Sequence, residues 1–87
     1  MGFVYVFHGE GAPFAAAVYS TLEEAKSDIA SNALSGMLTL YPVDKTVYDH
    51  VVDAGLFEGK ENPEANYIQR FTSAAMEHYH FVDGVLA

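Results

Sequence analysis

The chain has 87 residues, 51% of them hydrophobic, no cysteine, and a formal net charge of −8 from twelve acidic and four basic side chains. That length sustains one thin-cored domain over residues 1–87, with no disulfide to reinforce it and no thiolate for nucleophilic chemistry. Four scattered cations, Lys26, Lys45, Lys60 and Arg70, are too few to replace the counterions of a nucleic acid, and the net charge disfavours an anionic membrane, so neither is an expected partner.

Phe3-Val4-Tyr5-Val6-Phe7-His8 is β-branched and aromatic throughout and predicts a strand. Gly9-Glu10-Gly11-Ala12-Pro13 breaks it, and an extended pattern resumes from Phe14 to Tyr19, as in a hairpin. Ser20-Thr21-Leu22-Glu23 announces a helix. Ser20 can cap it with Glu23 reaching back, or Thr21 with Glu24 one residue later. Leu22, Ala25, Ile29 and Ala33 fall on one stripe at helical spacing, and the helix should end near Ala33.

Met37 to Val43 is the third predicted strand, and Pro42 marks an edge or the end of pairing there. Asp44 or Thr46 caps a second helix through Ala54, with Val47, Tyr48, Val51 and Val52 as its apolar stripe and Gly55 as its C′ residue. Residues 58–66 read as a polar surface loop. Asn62-Pro63-Glu64 can open a short third helix whose buried side is Tyr67, Ile68 and Phe71. His78 to Val82 is the last strand, closed by Asp83-Gly84. The order β-β-α-β-α-(α)-β describes an α+β fold: two layers, a mostly antiparallel four-stranded sheet, and helices on one face.

Two or three helices cannot cover both sides of such a sheet, so one face is expected to stay bare. Assigning the aliphatic sets to the helices places Val4, Val6, Val18, Leu38, Leu40 and Phe81 in the core. Tyr5, Phe7, Tyr19, Thr39, Tyr41, His78 and His80 are then left outward. Apolar bodies with polar tips are enriched at interfaces. Tyr5, Phe7, Tyr19, Tyr41, His78 and His80 are therefore the expected partner-binding residues, for a second copy or another protein. Cross-strand aromatic pairing also builds such a face with no partner at all, and residues 57–76 are long enough to fold over it.

Chemical motifs are sparse. His78 and His80, two apart on a strand, point the same way, and His8 with Glu10 could approach from the first hairpin. These four residues would be the centre of a small metal or acid-base enzyme. Against that, His-x-His arises readily by chance and Glu10 sits in a turn. Gly9-x-Gly11 has an acid between its glycines and no lysine, so it is no phosphate loop. Asp49-His50 reads as a solvated pair beside a core Tyr48. No catalytic residue, bound metal or cofactor is assigned. No apolar run approaches the ~18 residues of a membrane span. The opening residues lack a signal peptide's basic region, and residue 6 is Val rather than the Ser or Thr of a myristoylation site. The expected compartment is the cytoplasm.

Val6-Phe7-His8-Gly9-Glu10, Leu38-Thr39 leading to Tyr41-Pro42-Val43, Gly55-Leu56-Phe57, and His78-Tyr79-His80-Phe81 with Asp83-Gly84 together resemble a group of small uncharacterised bacterial proteins, a domain of unknown function. The resemblance covers nearly the whole chain. It implies a stand-alone bacterial cytosolic domain and brings no activity, ligand or catalytic residue. The leading expectation is a non-enzymatic interaction domain that dimerises. An acidic inhibitor or immunity-like protein for a basic partner is the alternative suggested by charge.

Overall fold

The computed structural model describes residues 2–87. The strands are β1 (Phe3–Gly9), β2 (Ala17–Tyr19), β3 (Gly36–Pro42), β4 (His78–Val82) and β5 (Val85–Leu86). The helices are α1 (Leu22–Ser31) between β2 and β3, then α2 (Val47–Asp53) and α3 (Ala65–Gln69) between β3 and β4. All strands pair antiparallel in the order β2-β1-β3-β4-β5. The fold is α+β, with one strand more than the four expected. The extra strand follows from Asp83-Gly84, whose φ values of 50° and 82° make a two-residue hairpin turn that returns Val85 beside Val82. The same turn is fastened to the α1–β3 connection, because the Gly84 amide donates to the Leu34 carbonyl and the Asp83 amide to the Ser35 hydroxyl. A Cβ on Gly84 would come within 3.0 Å of the Ile29 carbonyl oxygen, so only glycine lets the turn lie against α1.

Thr21, rather than Ser20, caps α1 by accepting from the Glu24 amide. Leu22, Ala25 and Ile29 form the inner stripe as expected, with Ala25 and Ile29 fully buried. Ala33 lies beyond the helix, exposed, at φ 53°. It occupies the left-handed C′ position of a Schellman ending in which the Leu34 amide donates to the Ile29 carbonyl.

Thr46 caps α2. Gly55, at φ 74°, closes it, with the Leu56 amide on the Val51 carbonyl and the Gly55 amide on the Val52 carbonyl. Asn62 does not cap α3. It sits at φ 53°, and Glu64 takes the N-cap position without a side-chain bond. Pairing of β3 with β4 runs from Gly36 to Thr39, while β1 continues alongside to Pro42, so the proline stands where β3 has lost its second neighbour.

The core beneath the sheet is Phe7, Ala25, Ile29, Leu38 and Phe81. Tyr5, Ala17, Tyr19, Leu22, Leu34 and Tyr79 pack around it. Its only helix is α1. The α2 and α3 region forms a second apolar cluster at the end where β1 begins and β3 ends. There Phe3 meets His50 edge-on at 5.5 Å, and Tyr48, Val51 and Met76 are buried.

Candidate interaction surface

Register decides the faces. Opposite residues of an antiparallel pair project to the same side, and alternation carries that side along each strand. Phe7 pairs with Ala17 and Leu38, Tyr5 with Tyr19 and Leu40, and Leu38 with Tyr79. This set faces α1. The opposite face carries Val6 opposite Val18 and Thr39, Val4 opposite Tyr41, His8 opposite Met37, Met37 opposite His80, Thr39 opposite His78, and Val82 opposite Val85.

The expected bare face was thus right on β3 and β4 and inverted on β1 and β2. Tyr41, His78 and His80 lie outward together with Thr39, whereas Phe7 is 2% exposed and Tyr5 and Tyr19 are half-buried against the core. Conversely, Val4, Val6 and Val18 are not core residues, and Val18 is 63% exposed. The physical reason is volume. A sheet covered by one ten-residue helix needs large side chains to fill the space between the layers, and phenylalanine is among the most buried residue types. Valine suits an uncovered pleated face through its strand preference alone. The small partners of Phe7 carry the same signal. Ala17 lies opposite it on β2, and a Cβ on Gly36 would approach its ring to 2.8 Å.

The open face therefore combines aliphatic side chains, Met37, Tyr41 and three imidazoles. Two shallow grooves cross it. One, of about 540 Å³, runs from His8 and Glu10 past Met37 to His80 and Val82. The other, of about 470 Å³, lies between Tyr41, His78 and His80 and a wall made by Val47, Phe71 and Met76. Residues 71–76 thus border the face without closing it.

The imidazoles hold defined positions. His78 Nδ1 stands 2.7 Å from the Met76 carbonyl, which can only accept, so Nδ1 is the donor nitrogen and Nε2 is the one left without this partner. His8 Nε2 likewise donates to the Ala12 carbonyl at 3.1 Å. The rings of His78 and His80 stand edge to face, with centres 5.3 Å apart. His8, Glu10 and His80 line the first groove, with Met37 of β3 between the two histidines, while His78 lies in the second, so the four residues share the open face but do not gather around one ion. Among the described residues no three His, Asp or Glu side chains are arranged to hold an ion. Asp49 and His50 part company, Asp49 exposed and His50 against Phe3, while Tyr48 is buried as expected.

Charge is distributed unevenly. Glu10 is the one carboxylate lining either groove of the open face. Glu23, Glu24 and Asp28 lie on α1, where Tyr19 donates to Asp28 at 2.6 Å. Burial, then that hydrogen bond, then the carboxylate charge push the Tyr19 phenol up from 10.0 to about 12. Tyr79, on the α1 side, donates a short hydrogen bond to Glu77. That bond first, then burial and the Glu77 charge, raise its phenol above the ordinary value.

The antiparallel sheet, with helix α1 on one face and an uncovered, histidine-bearing apolar opposite face, defines a two-layer α+β architecture. The chain belongs to a family described as a domain of unknown function, DUF7710, whose model matches residues 4–87. No curated protein and no solved structure matches it. No helix among the described residues is long and apolar enough to cross a membrane.

Proposed function

We propose that this protein is a non-enzymatic, bacterial, cytoplasmic interaction domain that associates with a second copy of itself through the open sheet face. The observation that carries the reading is the uncovered row of Val18, Val6, Met37, Tyr41, Val82 and Val85, of which Val18, Met37, Tyr41, Val82 and Val85 are exposed. Large contiguous apolar patches are rare on monomers and mark interaction sites. Charge selects the occupant. A basic partner would be recognised by carboxylates at the contact, yet the twelve acids lie almost wholly off this face, so the face itself suits a neutral, self-complementary contact.

Salt separates the two occupants. Two copies at −8 each repel over long range, so screening should tighten self-association, whereas binding of a basic partner weakens with salt. Sedimentation of the full chain from low to high salt should show a dimer that strengthens, and Met37→Asp should dissociate it. A monomer at every concentration would sink this reading. Salt-weakened binding of a basic protein would favour the inhibitor reading instead.

A further inference from the structure

We infer that His78 and His80 form half of a metal site that is completed by the same pair on a second copy, so that a divalent ion such as zinc bridges two chains. The inference rests on the proposed self-association for its geometry. Three observations support it. The rings project from alternate residues of β4 onto the open face, and both residues are exposed. Their centres are 5.3 Å apart. Two imidazoles bound through nitrogen at about 2.05 Å to one tetrahedral ion place their ring centres about 5.2 Å apart, so the spacing on β4 suits chelation once the exposed rings turn their free nitrogens to a common point. Finally, the Met76 carbonyl accepts a hydrogen bond from His78 Nδ1–H and leaves Nε2 unengaged, which is the second-shell arrangement that fixes tautomer and ring direction in histidine ligands.

One chain stops at two ligands. His8 is held away by β3 and engaged with Ala12, and no carboxylate stands near enough to make a third ligand among the described residues. Zinc takes four. A twofold axis through the face beside β4 supplies the other two imidazoles without any new residue, since an isologous contact repeats the same patch on both subunits. Desolvated at the centre of such a contact, the ion also offsets part of the mutual repulsion of two acidic chains.

The test uses the full chain, dialysed against chelator and then titrated with zinc, followed by calorimetry and sedimentation. The expected result is one zinc per two chains and a dimer constant at least tenfold tighter with zinc than without it. Imidazole nitrogen resonances should shift at His78 Nε2 and not at His8. In His78→Ala or His80→Ala the ratio of dimer constants with and without zinc should fall to about one, a readout that does not depend on how each variant dimerises alone. One zinc per monomer, no zinc uptake, or a ratio unchanged by His80→Ala would overturn the half-site. Dimers that form only with zinc, at one ion per two chains, would support the half-site and overturn metal-free self-association.

Discussion

The two apolar clusters of this molecule are built on different principles. Under the sheet, Phe7, Leu38 and Phe81 are placed by strand register and close against Ala25 and Ile29 of one regular helix. Backbone polar groups there are satisfied by the ladder and the helix, so the side chains need only fill space. At the far end, residues 57–64 and 70–77 have little regular structure, and Tyr48 acts as the hub. Its ring meets Phe57, Tyr67 and Phe71 edge-on at 5.3–6.4 Å. Its hydroxyl accepts from the Lys60 amide at 2.8 Å and donates to the Lys60 carbonyl at 3.2 Å, while the Lys60 ammonium lies 4.3 Å from the Tyr67 ring centre. Where no ladder exists, a polar-tipped aromatic does both jobs, burying area and pairing loop backbone. Gly59 fits this arrangement, because a Cβ there would reach the Tyr48 hydroxyl at 2.7 Å.

Four substitutions probe that contrast. Phe7→Ala should have the largest effect, about 3–5 kcal/mol lost in denaturant unfolding, because it removes the ring on which the sheet-side core closes. In a domain this small such a loss should be close to global unfolding.

Tyr48→Phe should cost less, about 1–3 kcal/mol for the stranded Lys60 amide and carbonyl. Its signature is local. Amide exchange should quicken over residues 57–71 while α1 and β1 stay protected; equal loss in both regions would mean the two clusters are one cooperative unit.

Tyr19 tests the rim of the sheet-side core by pH. Its phenol is pushed up to about 12 in the folded protein, so the fold favours the protonated form. That contribution is complete below the unfolded value of about 10 and is lost as pH rises through about 12. Tyr19→Phe should flatten that part of the stability profile; an unchanged slope between pH 10 and 12 would reject the Tyr19 phenol as its source.

The smallest effect expected is a gain. Ala33→Gly relieves a left-handed residue at the end of α1 and should stabilise by about 1 kcal/mol, read as a raised unfolding midpoint.

Local signals were legible wherever a short stretch carries its own physics. Thr21 and Thr46 cap helices through their own hydroxyls, Gly55 closes α2 at a left-handed φ that glycine adopts without a Cβ penalty, and Pro42 marks where pairing on one side of β3 ends. On β3 and β4 the open face was also legible, since Leu38 and Phe81 could not both leave the core and alternation then put Tyr41, His78 and His80 outward. On β1 and β2 it was not, because Val4-Tyr5-Val6-Phe7 is apolar on both sides.

The linear order of residues was enough to define four of the five strands, the helices capped by Thr21 and Thr46, and the acidic charge, each of which depends on neighbours a few positions apart. Which side of β1 faces α1 was settled only when Gly9 aligned with Gly36 and Phe7 with Leu38 and Ala17. A side-chain period of two makes every strand ambiguous by one residue, and the choice is made by the volume available between layers that are distant in sequence.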